Sequence, residues 1–205
     1  MAHAETYTHG YMPPDRRAPL FAIASLLLLA GCGSYQSPTP SIGATGPAPA
    51  PSTNPATTPD WYAIELTDVL TGQAFAINDF AGKVVLVEAM AEWCPTCIEQ
   101  QREVQKLHDL LGKTDDVVSI SLDIDVHEDG PSLKKYAQAL SHGWRYAVAP
   151  LEVARALGNL YSAEYLNPPY SPMLLIDRHG IATSLPYGVK TADFLRTTLE
   201  PYLAP

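Results

Sequence analysis

Cysteine is scarce in this sequence, which holds three in 205 residues. So few leave no room for the multi-disulfide frameworks that staple small exported domains. Lysine and arginine are also few, 13 against 22 aspartates and glutamates, for a formal net charge of −9. That balance excludes nucleic acid as an expected partner, because binding there rests on neutralising phosphates. No apolar run is long enough to cross a bilayer, which takes about 20 residues. The six histidines are scattered, and neither a His-x-x-x-His nor a second Cys-x-x-Cys is present to complete a zinc site around one cysteine pair.

What is present is sharply segmented. Arg16 and Arg17 precede an apolar stretch, APLFAIASLLLLA, that ends in the small residues Ala30 and Gly31. A positive flank, a short apolar core and small residues before a cleavage point describe a secretory signal peptide over residues 1–31. Leu29-Ala30-Gly31-Cys32 resembles a bacterial lipobox. The resemblance implies a diacylglyceryl group on Cys32 after cleavage just before it, and several acyl chains on one residue hold a protein on a membrane. The alternative is an unlipidated signal peptide with a chance cysteine. A twin-arginine reading of Arg16-Arg17 fits the following residues poorly. Residues 33–59, GSYQSPTPSIGATGPAPAPSTNPATTP, carry no charge and little that can be buried. With Cys32 they read as a disordered Pro/Ala/Ser/Thr tether over 32–59, its ends roughly 30 Å apart as a flexible coil.

From residue 60 to 205 the pattern is that of a packed α/β domain. Short strands are expected at 61–66 and 73–77, on either side of the turn at Thr71-Gly72. VVLVEAM, 84–90, is a β-branched run suited to a central strand buried on both faces. Cys94 and Pro95 open a helix whose apolar residues Ile98, Val104, Leu107 and Leu111 keep helical spacing up to Gly112. Strands at 117–123, 145–148, 173–177 and 181–185 then alternate with helices at 131–141, 151–161 and 191–203. This order predicts a mostly parallel sheet covered on both faces, with an antiparallel edge made by the hairpin at His179-Gly180.

The chemistry is concentrated in AEWCPTC, residues 91–97. Cys-x-x-Cys has three physical readings. A metal site needs further ligands, and the four histidines of the domain, His108, His127, His142 and His179, are scattered. A purely structural disulfide closing so short a loop removes little chain entropy and stabilises weakly. Redox exchange, by contrast, needs this spacing. Cysteines three apart at a helix start share one face, with the first at the exposed end and the second one turn in. Free N–H groups and the helix dipole stabilise a thiolate on Cys94, which can attack a substrate disulfide and be released by Cys97. Pro95 suits the first helical position, where no N–H is needed. No cofactor is required beyond the disulfide itself.

Residues 84–111, VVLVEAMAEWCPTCIEQQREVQKLHDLL, resemble the active-site strand and helix of the thioredoxin superfamily, and the anchored arrangement resembles the TlpA and ResA group of extracytoplasmic thiol-disulfide oxidoreductases. The likeness spans about all of residues 60–205 and implies a thioredoxin-like fold, a central mixed β-sheet flanked by helices on both faces. It implies that Glu88 is a buried acid able to take the proton from Cys97, the alternative being a strand-end glutamate that reaches solvent. It further implies a cis-proline at Ser171-Pro172, with the backbone of Ser171 offered to a bound peptide like an added strand. Pro168 and Pro169 are the fallback positions. Trp93, Pro95 and Thr96 stand where substrate is met, although Trp93 equally well packs over the helix.

The chain departs from the family pattern at Ala89 and Met90, where an aromatic is common, and at Thr96, where thioredoxins carry proline. Residues between the cysteines tune the relative stability of the two redox forms. The family analogy favours a protein-disulfide reductase. Its expected partners are exported proteins with cysteines or disulfides, among them apocytochrome c, together with a membrane thiol-disulfide electron donor and the membrane itself through the lipid anchor. The expected location is the periplasmic or extracellular side of a bacterial membrane. The other reading is a binding lipoprotein such as a SCO-like copper chaperone, whose Cys-x-x-x-Cys is one residue longer than the spacing here. The loop DIDVHEDG, 123–130, reads as a solvated connection rather than a partner surface.

Overall fold

A computed structural model describes residues 58–203. The signal segment, Cys32 and the tether up to residue 57 lie outside the described residues.

The run VVLVEAM forms β3 (Val84–Met90), and every one of its seven residues is buried. β1 (Leu66–Thr67) and β2 (Ala74–Phe75) precede it as a small antiparallel pair. After it come α1 (Pro95–Leu111), β4 (Val117–Asp123), α2 (Gly130–Leu140), β5 (Arg145–Val148), α3 (Leu151–Leu160), β6 (Met173–Ile176), β7 (Ala182–Ser184) and α4 (Ala192–Leu203). The main sheet has the order β5-β4-β3-β6-β7. β3, β4 and β5 run parallel, while β6 and β7 are antiparallel to their neighbours. The sheet is therefore mixed, with β3 at its centre.

Alternation along β3 splits the core in two. Val84, Leu86 and Met90 pack with Val104 and Leu107 of α1, Leu133 of α2, and Leu195 and Leu199 of α4. Val85, Val87 and Ala89 face the other way, onto Trp61, Tyr62 and Phe75 from the start of the domain and Val153 and Leu157 of α3. Helices on both faces explain why β3 reads as an unbroken apolar run with one exception, Glu88. No helix among the described residues is long and apolar enough to cross a membrane.

Two predicted strands are shorter than expected. Residues 61–66 were expected as a strand, but Asp60–Ala63 forms a 3-10 turn, and only Leu66–Thr67 pairs. Trp61 and Tyr62 are both buried, which a strand facing one core layer cannot achieve for consecutive residues. Residues 73–77 keep only Ala74–Phe75 as strand, because the Asp79 carboxylate accepts the Ala76 N–H at 2.8 Å and starts a 3-10 turn over Ile77–Phe80.

Leu174→Ala in β6, whose side chain is completely buried, is expected to cost about 2–5 kcal/mol of unfolding free energy. Leu110→Ala, on the 58% exposed outer face of α1, should stay within about 0.5 kcal/mol. Urea unfolding of both variants checks the pair.

Candidate active site

The site is built where β3 ends and α1 begins. Cys94 is the N-cap of α1 in extended backbone, and its sulfur accepts the Cys97 N–H at 3.2 Å. Pro95 follows at the first helical position, where its missing N–H costs nothing. Cys94 and Cys97 are joined as a disulfide with Cα atoms 5.3 Å apart. When the bond is reduced, the same N–H and the helix N-terminus stabilise a thiolate on Cys94. Thr96 adds a switchable donor. Its hydroxyl oxygen lies 3.2 Å from both Cys94 Sγ and the Pro169 carbonyl oxygen, and its single proton serves one of them at a time.

The sequence places Cys94 at the exposed end of the pair, and the structure corrects this. Both cysteines are fully buried. The cover is the 3-10 segment Pro168–Tyr170, whose Pro168 carbonyl oxygen lies 3.5 Å from Cys97 Sγ. Trp93 is 56% exposed, and its indole N–H donates to Asp125 at 2.6 Å. Together with Val126, Leu151, Leu166 and Pro168 it lines a groove of about 400 Å³.

The segment before β6 also differs from expectation. No described peptide bond is cis, so the Ser171-Pro172 bond is trans. The chain reverses instead through Ser171, in the left-handed region at φ 46°, which costs a non-glycine residue on the order of 1 kcal/mol. Nor is Ser171 free to pair with a peptide. It is buried, its N–H donates to the Pro168 carbonyl at 2.7 Å, and its carbonyl accepts from Lys190 Nζ. Pro172 itself is buried at the head of β6, and its carbonyl accepts the Ala89 N–H at 3.2 Å.

Lys190 and Gln100 hold this arrangement together, and sequence reasoning did not find either. Gln100, one turn beyond Cys97, donates to the Lys190 carbonyl at 3.1 Å and accepts the Lys190 N–H at 2.7 Å. The buried Lys190 ammonium then reaches Ser171 and Gly188 carbonyls. Burial pushes the Lys190 pKa down to about 8, with Glu88 opposing the shift. Lys190 sits in a segment that reads as a linker, and nothing in its spacing marks it as buried.

Glu88 is buried in the middle of β3, opposite Ser121 of β4 and Met173 of β6. The reading as a strand-end residue reaching solvent is thereby excluded. Burial pushes its pKa up to about 8, against the nearby Gln101 amide, the Ser121 hydrogen bond and the charge of Lys190. Ser121 donates to Glu88 Oε2 at 3.2 Å and in turn accepts the Trp144 indole N–H at 3.0 Å. Tyr136 and Tyr146 both donate to Gln101. Glu88 Oε2 is thus held by Ser121, while Glu88 Oε1 and Gln101 Nε2 are both buried without a hydrogen-bond partner, and no hydrogen bond of Glu88 reaches a sulfur.

The loop expected to be solvated is only partly so. Asp123 at its start is completely buried and meets Glu92 and Glu128, with carboxylate oxygens of the three within 4.8 Å of one another. Desolvation, with Glu128 and Glu92 adding to it, pushes the Asp123 pKa up to about 8.

The protein-family model described as Redoxin matches residues 47–198. Among solved structures the chain resembles dsbF of Mycobacterium tuberculosis, at TM-score 0.56 and 16% identity over 71% of this chain and 99% of that one. It also resembles a thiol:disulfide interchange protein of Chlorobium tepidum, at TM-score 0.56 and 18% identity over 69% and 93%. The pneumococcal exposed lipoprotein thioredoxin Etrx1 of Streptococcus pneumoniae aligns at TM-score 0.52 and 23% identity over 67% and 98%. These likenesses establish the thioredoxin-like fold. No curated protein matches the chain by sequence.

A buried acid with a raised pKa gives stability a definite pH dependence. The unfolded chain releases the Glu88 proton near pH 4.5, whereas the folded protein keeps it to about pH 8. The stabilisation is complete below the unfolded value and is lost as pH rises through this window. Between pH 5 and 8 the unfolding free energy of the native protein should therefore fall more steeply than that of Glu88→Gln, by on the order of 1 kcal/mol per pH unit. Equal slopes in urea titrations of the two proteins would show that folded Glu88 is ionised.

Proposed function

This chain belongs to the Redoxin family and is a thiol-disulfide oxidoreductase of the thioredoxin type, and from that premise we propose that it is an extracytoplasmic protein-disulfide reductase tethered to the membrane through Cys32. The observation that carries the redox reading is Cys94 itself, an N-cap sulfur receiving the Cys97 N–H at 3.2 Å with its partner cysteine one turn away. The same hydrogen bond that closes the helix stabilises the attacking thiolate.

In the reducing direction the Cys94 thiolate attacks one sulfur of a substrate disulfide. A mixed disulfide forms, and the other substrate sulfur leaves as a thiolate. Cys97 then gives up its proton and attacks Cys94 Sγ, which releases the second substrate sulfur and forms the Cys94–Cys97 disulfide. Two electrons pass from the protein to the substrate, and a membrane thiol-disulfide donor returns them. Glu88 is the buried base nearest in the chain to this step, and its raised pKa suits it to accept the Cys97 proton. Access to Cys94 requires the Pro168–Tyr170 cover to shift. The exposed Trp93 and Pro95, with Thr96, then form the face that substrate meets.

The export reading is supported by the signal-like residues 1–31 and the lipobox-like LAGC, and by neighbours described as a secreted disulfide oxidoreductase and an exposed lipoprotein thioredoxin. Exported proteins bearing disulfides, with apocytochrome c among them, are the substrate class this arrangement suits.

Cys97→Ala is expected to accumulate a mixed disulfide on Cys94, and Cys94→Ser to reduce exchange to the level of a protein-free control. Thiol trapping followed by mass measurement distinguishes the two. Equilibration of the full chain against a thiol-disulfide buffer should give a potential near thioredoxin's, about −270 mV, whereas a value near −120 mV would make the protein an oxidant. Glu88→Gln should slow the Cys97 step by about 10²-fold or more, and an unchanged stopped-flow rate would remove Glu88 from the mechanism.

A further inference from the structure

The carboxylates of Glu92, Asp123 and Glu128 come from three places: the turn after β3, the end of β4 and the loop before α2. Their oxygens lie within 4.8 Å of one another. Among the described residues no lysine or arginine pairs with any of them. Some of their oxygens are satisfied locally. Asp123 Oδ1 accepts the Asp125 N–H at 3.0 Å, Glu128 Oε2 accepts the Glu92 N–H at 2.8 Å, and Glu92 Oε1 accepts the Ser132 hydroxyl proton. Asp123 Oδ2 is not. It is buried, it has no hydrogen-bond partner, and it belongs to a residue with no solvent exposure whose carboxyl faces Glu128 and Glu92.

A fully buried acceptor without a partner is a standing cost in a folded protein. Two further carboxylates crowd it, and a cation held among the three would satisfy the oxygen and offset their mutual repulsion. All of the available donors are oxygens, which suits hard cations rather than the softer metals that select thiolate or imidazole. Calcium binds oxygen at about 2.3–2.6 Å and magnesium at about 2.0–2.1 Å, and oxygens no more than 4.8 Å apart can reach one such ion together.

We propose that Glu92, Asp123 and Glu128 form a binding site for a hard divalent cation, for which calcium is the probe. Asp123 provides the buried ligand from the rigid end of β4, and Glu92 and Glu128 close over it. Glu128 is joined to Glu92 by the N–H bond already described, so the ion ties the turn that carries Trp93 and Cys94 to the loop that carries Asp125. This site is separate from the disulfide chemistry and stands whether or not the protein is a reductase.

The test uses the full chain in detergent, stripped of metal with EDTA and titrated with CaCl₂ in a calorimeter and in thermal unfolding. The expected result is one calcium per chain with a Kd of about 10⁻³ M or tighter. At 100-fold excess over that Kd the melting temperature should rise by roughly 5–10 °C. Glu128→Gln and Glu92→Gln, both at partly exposed positions that tolerate the change, should each weaken binding at least tenfold. Glu99→Gln, an exposed glutamate of α1, should leave it unaltered. No heat and no thermal shift at 10 mM calcium would overturn the proposal and leave a shared proton as the partner of Asp123 Oδ2. Binding that survives in both Glu128→Gln and Glu92→Gln would overturn it equally, by placing the ion elsewhere.

Discussion

The structure depends on the burial of β3. A strand with parallel β4 on one side, antiparallel β6 on the other and helices over both faces has no access to water, so its residues must be apolar or draw their partners from within the protein. Six of the seven are apolar. Glu88 is the exception, and the polar content beside it falls into two groups: Trp144 donates to Ser121 and Ser121 to Glu88, while two tyrosine hydroxyls donate to Gln101. Removing Ser121 would leave the buried carboxyl without a hydrogen-bond partner.

The same burial aims the chemistry. β3 emerges from the sheet at Met90, turns through Ala91, Glu92 and Trp93, and delivers Cys94 to the start of α1. Because α1 is fixed along its length by Val104 and Leu107 against the sheet, its first turn has one position relative to the strand end. The cysteine spacing then brings both sulfurs together without further help. The cover is positioned separately. Pro168–Tyr170 and Ser171 are held by Lys190, and Lys190 by Gln100 from α1 itself. The disulfide helix and the segment that covers it are thus joined through buried polar contacts of Gln100 and Lys190.

How much of this was legible in the chain differs from element to element. VVLVEAM announced a central strand through length and β-branching, and Pro95 and Gly112 marked the ends of α1 by backbone chemistry that is local. The pairing of Cys94 with Cys97 was legible from their spacing at a helix start, and the burial of Glu88 was expected from the resemblance to thioredoxins. The first strands were misjudged because Trp61 and Tyr62 carry a strand-like composition, while their shared burial in one layer selects a 3-10 turn. Asp123, Glu92 and Glu128 gave no signal as a cluster, since each alone reads as an ordinary surface acid.

The sequence by itself determined the order of the main elements of the domain and the cysteine pair at the start of α1, both of which follow from composition and short-range spacing. Tertiary structure decided the rest. It buried Cys94 under a segment more than seventy residues away in the chain, gave Ser171 a left-handed backbone beside a trans bond, made Lys190 a buried clamp, and gathered three acids around one unsatisfied oxygen. Each of these depends on which residues meet across the sheet and between loops. That is fixed by packing, and no periodicity along the chain records it.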